Sequence, residues 1–115
     1  MRTKLQLLII ACLTIFSLNA IAQTKSVEEA AKDLTDKMTK ALTLSQDQVS
    51  KIQTINEDYV RSVRGISNLH TSNKAEWEKQ TKEINQQREV DSRKIFNENQ
   101  YNTYLKRKTE WEVKK

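Results

Sequence analysis

Apolar residues recur every three or four positions through most of this chain, the spacing of α-helices that each bury one face. Val27, Ala30, Ala31, Leu34, Met38 and Ala41 form a first stripe. Val49, Ile52, Ile55, Tyr59, Val60, Val63 and Ile66 form a second. A third helix, from Asn73 to about Ile95, is much poorer: only Trp77, Ile84 and Val90 are strongly apolar across 74–94. A fourth, beginning after Asn97, carries Tyr101, Tyr104, Leu105 and Trp111. The pattern predicts an all-α fold of four helices. Gly65 is placed to close the second helix, since glycine accepts the left-handed conformation a helix C-terminus often needs. "SNLHTSN" (67–73) reads as the connecting loop.

Helix starts are written with equal clarity. Ser26 with Glu29 and Asn73 with Glu76 fit N-caps of the first and third helices. "LSQDQV" (44–49) and "FNENQY" (96–101) repeat one pattern 52 residues apart. In the first copy Ser45 is the N-cap, Gln48 reaches back to its backbone, and Leu44 staples onto Val49. In the second, Asn97, Gln100, Phe96 and Tyr101 take the same parts. Each cap contributes about 1 kcal/mol and fixes the direction in which the chain enters the helix.

Charge supports the helical reading. Eight acid-to-base pairs stand at i,i+4: Glu28–Lys32, Asp33–Lys37, Asp36–Lys40, Asp47–Lys51, Glu57–Arg61, Glu78–Lys82, Glu89–Arg93 and Glu110–Lys114. Each adds about 0.3 kcal/mol to a helix. The chain has no proline and a single glycine.

The N-terminus is a different kind of segment. Arg2 and Lys4 precede the apolar stretch 5–18, and Ala20-Ile21-Ala22 places small residues where a signal peptidase acts, giving a secretory signal cleaved after Ala22. Fourteen residues span roughly 21 Å as a helix, short of the ~30 Å hydrocarbon core, so no stable membrane insertion is expected after cleavage. The domain is then 23–115. Loss of Arg2 and Lys4 lowers the net charge from +5 to +3, and the only cysteine, Cys12, leaves with the signal. Interleaved charges of both signs, on an exported chain, argue against nucleic acid. The mature region holds 23 residues from Ile, Leu, Val, Met, Phe, Trp and Tyr. That modest supply predicts a marginal monomer and favours a layer shared in a homodimer.

Leu44-Ser45-x-x-Gln48 resembles the LTxxQ motif of the Spy/CpxP-like periplasmic proteins, and Phe96-Asn97-x-x-Gln100-Tyr101 resembles its second copy. "KIQTINEDYVRSV" and "YNTYLK" are similar to that family as well, so the resemblance covers roughly Val27 to Lys108. The second motif departs from the family in reading Phe-Asn for Leu-Thr, which preserves the cap chemistry. The resemblance implies a thin, curved, all-α cradle, an antiparallel homodimer and a periplasmic location. Members of that family include zinc-responsive relatives, and the resemblance implies two leading activities: ATP-independent shielding of unfolded or aggregation-prone proteins, or regulation by docking on the sensor domain of an envelope-stress kinase.

A surface of that kind needs scattered apolar and basic side chains that make weak, plural contacts. Arg61, Arg64, Trp77 and Lys82 are the candidates for client binding; the competing reading makes Trp77 core and the cations solvated. The basic run 106–108 with Lys114 and Lys115 suits an anionic partner, and suits equally a helix C-terminus complementing the macrodipole. His70 is the only histidine, too few ligands for a zinc site, and no metal or cofactor is expected. No Gly-rich phosphate loop or nucleophile constellation is present, so the chain does not read as an enzyme.

Overall fold

The computed structural model describes residues 25–69 and 72–113, with the side chains of 68 and 69 outside the description. Among them are four α-helices and no strand: α1 Val27–Leu42, α2 Gln46–Leu69, α3 Lys74–Arg93 and α4 Glu98–Arg107, followed by a 3-10 turn, Lys108–Trp111. The proposed signal peptide and its cleavage site lie outside the described residues, as does His70.

The long α2 is the spine. α1 packs antiparallel against its first half and α3 against its second half and middle, while α4 returns to the end of α1. One apolar cluster holds Met38, Leu42, Leu44, Ile52, Phe96, Tyr104 and Trp111, with Leu34, Ala41, Val49, Ile55, Ile95 and Tyr101 against it. A second holds Ala31, Tyr59, Val60 and Val63, with Val27, Ile84 and Val113 packed on. The α1–α2 seam is partly polar: the Asn56 amide donates to Thr35 Oγ1 at 3.0 Å, and that hydroxyl donates to the Ala31 carbonyl at 2.9 Å.

The caps form where the sequence places them. Ser26 Oγ accepts from the Glu29 N–H at 3.1 Å, and Asn73 Oδ1 from the Glu76 N–H at 3.1 Å. Ser45 and Asn97 form complete capping boxes with Gln48 and Gln100.

Four expectations need correction. Gly65 does not end α2, which continues to Leu69; no glycine has positive φ, and the left-handed cap belongs instead to Thr43 at the end of α1 (φ 54°, ψ 58°). The helix therefore runs into the segment read as a loop, because the packing of α3 supports it beyond its weak local signals. α4 stops at Arg107, so Trp111 is delivered by the 3-10 turn, and Leu105 is exposed. Of the i,i+4 pairs that lie within the described residues the structure closes Asp47–Lys51; elsewhere partners are exchanged, Lys32 pairing with Asp36, Arg61 with Asp58, Glu78 with Lys74 and Glu89 with Lys108, while Lys114, the expected partner of Glu110, lies outside the described residues. Exposed ion pairs differ by only tenths of a kcal/mol, so local geometry chooses among them.

Candidate functional site

The two copies of the repeated motif meet. Gln48 and Gln100 each satisfy their own N-cap, and their side-chain amides then bond to each other: Gln48 Nε2 donates to Gln100 Oε1 at 2.7 Å, and Gln100 Nε2 to Gln48 Oε1 at 3.1 Å. Gln48 Nε2 also donates to the Ile95 carbonyl, and Gln100 Nε2 to those of Thr43 and Leu42. Ile95 and Thr43 are themselves 52 residues apart, so the whole junction is pseudo-symmetric. Leu44, Phe96 and Gln100 are buried.

The open surface lies elsewhere. One face of α3 and the C-terminal segment enclose a groove of about 580 Å³, with Trp77, Thr81, Lys82 and Asn85 on the helix side and Tyr104 and Val113 opposite. Trp77 is 7% exposed, and its indole N–H donates to Ser67 Oγ at 2.9 Å, tying α3 to the end of α2. Lys82 is exposed along the wall. Two of the four residues selected from sequence thus share the groove. Arg61 and Arg64 do not line it; both are exposed on α2, with Arg61 paired to Asp58 at 3.1 Å. Lys74–Glu78 (3.8 Å) and Lys108–Glu89 (2.9 Å) put charges of both signs along the rim.

Arg88 is the residue that sequence reasoning missed. It is 3% exposed and donates from Nη1 to the Trp111 carbonyl at 2.8 Å. Its guanidinium lies 3.8 Å from the centre of the Tyr59 ring. No carboxylate is among these partners, so the charge is held by a ring face and a carbonyl. The signal available was a stripe, Trp77, Thr81, Arg88 and Ser92, that is buried although mostly polar. A search for apolar periodicity passes over it. Burial pushes both Tyr59 and Tyr104 above the usual phenol value, with the nearby Arg88 charge acting in the opposite direction.

The segment after the 3-10 turn completes the site. Glu112 is extended (φ −85°, ψ 137°), and the Val113 N–H donates to the Tyr59 hydroxyl at 2.8 Å. Among the described residues no group of three or more His, Cys, Asp or Glu side chains converges on a metal position, and no helix is long and apolar enough to cross a membrane.

These features define a small all-α domain built on two linked capping motifs. The chain belongs to the family described as "Domain of unknown function (DUF4890)", which it matches over residues 19–104. No curated protein matches the chain. No solved structure matches it either.

Proposed function

We propose that this protein is an exported, ATP-independent chaperone-like protein of the Spy/CpxP type, acting in the periplasm as a homodimer on unfolded or aggregation-prone proteins. The observation that carries the reading is the groove along α3. It presents Val113 and Lys82 over the buried Trp77, beside a mixed-charge rim. Weak contacts of several kinds on one open face suit clients that differ in sequence and must be released. The resemblance of Leu44-Ser45-x-x-Gln48 and Phe96-Asn97-x-x-Gln100 to LTxxQ motifs supports the same reading.

The test is aggregation suppression of two unrelated unfolding proteins by the chain from Gln23 onward, without nucleotide, at low and moderate salt. Protection of both at near-stoichiometric ratios is the expected result. No protection at several-fold excess would reject it and favour the regulatory role, docking on the sensor domain of an envelope-stress kinase. The dimer is tested by sedimentation at micromolar concentration, where a purely monomeric species would remove it.

A further inference from the structure

The inward face of α3 is polar where those of α1 and α2 are mainly apolar. Five buried side-chain polar atoms find no hydrogen-bond partner among the described residues, and four of them lie on this one helix: Thr81 Oγ1, Asn85 Oδ1, Arg88 Nε and Ser92 Oγ. Thr81, Arg88 and Ser92 share the buried stripe of α3 with Trp77. A hydroxyl or amide oxygen buried without a partner costs free energy that it recovers in water. When such a face separates from its neighbour, these atoms lose no protein partner and gain hydration.

The two halves of α3 are anchored differently. From Arg88 onward three other segments hold it. The Arg88 guanidinium lies 3.8 Å from the centre of the Tyr59 ring and donates to the Trp111 carbonyl, Glu89 pairs with Lys108 at 2.9 Å, and the Arg93 guanidinium lies 4.9 Å from the centre of the Tyr101 ring. Before Arg88 the helix packs on α2, through an inward face that holds Trp77, Thr81 and Ile84. Clefts flank it on both sides, the groove already described and a second of about 550 Å³ between α2 and α3, lined by Ser62, Ile66, Lys79 and Ile84 among others. The Trp77 indole bond to Ser67 Oγ is exchanged for a bond to water on separation, a nearly even trade.

We infer that the half of α3 before Arg88 is a hinged cover: it lifts from α2 as a unit, with Arg88 as the pivot, and uncovers Ile66, Trp77 and Ile84 to an extended apolar segment of an unfolded protein. This rests on the client-binding reading and names the surface the client meets. In the closed state Ile66 and Trp77 are 9% and 7% exposed, so the groove wall offers a client few apolar groups. Opening supplies them, and closing returns them to a covered state that does not attract other copies of the chain. Sub-global openings of this kind involve elements with few apolar contacts, which describes α3.

Two substitutions remove orphan hydroxyls on opposite sides of the pivot, and the inference requires them to differ. Thr81→Val keeps the shape of the side chain and relieves the cover of a buried unpaired hydroxyl. Ser92→Ala does the same in the anchored half, which stays packed when the cover lifts. Amide hydrogen exchange of the chain from Gln23 onward, resolved by NMR and corrected for intrinsic rates, reads the opening directly. The amides of Lys82, Ile84 and Asn85 should exchange at one common protection factor, at least about tenfold below that of Met38 and Ile52. Thr81→Val should slow these three about five- to tenfold, the factor for relieving one buried polar group, and leave Met38 and Ile52 unchanged. Ser92→Ala should leave the three unchanged.

Protection of α3 equal to that of α1 would overturn the inference, since no opening short of global unfolding would then exist. So would protection that falls steadily toward Lys74, the mark of a fraying end, or equal slowing by Thr81→Val and Ser92→Ala, which would remove the pivot. Faster exchange in Thr81→Val would show the hydroxyl to be satisfied when closed, and would overturn it as well. Exchange needs no client, so the two readings fail separately. A cover that opens as described, in a chain that protects no client, would reject the chaperone role and leave the hinge. In a chain that does protect clients, Thr81→Val should lower protection by the factor by which it slows exchange; undiminished protection would reject the cover as the client surface and leave the role.

Discussion

Gln48 and Gln100 hold each other by a reciprocal pair of amide hydrogen bonds, at 2.7 and 3.1 Å, while each also closes the capping box of its own helix. Every donor on both amides is used, and each oxygen accepts twice. Replacing either by alanine therefore does more than remove a cap. Gln48→Ala and Gln100→Ala should each destabilise by about 2–3 kcal/mol, and Ser45→Ala by about 1 kcal/mol. Gln100→Ala should be the more severe, because it strips partners from the buried end of α1. In a double-mutant cycle by denaturant unfolding, Gln48→Ala and Gln100→Ala should couple by at least about 0.5 kcal/mol. Additivity would show that the cross-link contributes nothing beyond two independent caps.

Arg88 is a buried cation whose partners are all neutral. Arg88→Ala leaves the Trp111 carbonyl unpaired and opens a void beneath Tyr59, which should cost about 3 kcal/mol or more. Arg88→Lys keeps the charge but loses the planar stack on the ring and should still cost about 2 kcal/mol. Equal stability of Arg88→Lys and the parent in urea would refute the stacking account.

Two backbone positions carry residues that their conformation does not favour. Gly65 lies inside α2 with ordinary φ and nothing within 4 Å of an added Cβ, so Gly65→Ala should stabilise by about 0.5–1 kcal/mol. Thr43 is a β-branched residue at φ 54°, so Thr43→Gly should stabilise by about 1 kcal/mol. Thermal melts would register both, and a lower Tm for either would contradict the geometry.

The raised pKa values of Tyr59 and Tyr104 fix the direction of a pH effect. The folded state keeps both phenols protonated beyond the point at which the unfolded chain releases their protons, near pH 10.0. Their contribution is fully present below that pH and is lost as the pH rises above it through the folded values. Melting temperature should fall from about pH 10 upward, and the slope should lessen in Tyr59→Phe and Tyr104→Phe. An unchanged slope in both variants would assign the alkaline loss to other groups.

Much of this protein was written in local terms. The stripes of α1 and α2 depend only on spacing, and the caps at Ser26, Ser45, Asn73 and Asn97 only on residues three apart, so the sequence alone determined four helices and where each begins. Leu44 and Phe96 were recognisable for the same reason. What needed the tertiary structure was each relationship between distant segments. That Gln48 faces Gln100 follows from the return of α4 to the end of α1, which no local pattern encodes. Gly65 failed as a stop signal because α3 packs alongside and carries α2 onward. Trp77 and Lys82 share a groove while Arg61 and Arg64 do not, since helical phase shows which residues share a face but not which neighbour the face will meet. Arg88 was invisible because burial of a polar group depends on partners supplied from other segments, here Tyr59 and the carbonyl of Trp111. Local periodicity and capping chemistry set the elements; the assembly of those elements decided which polar groups could be buried.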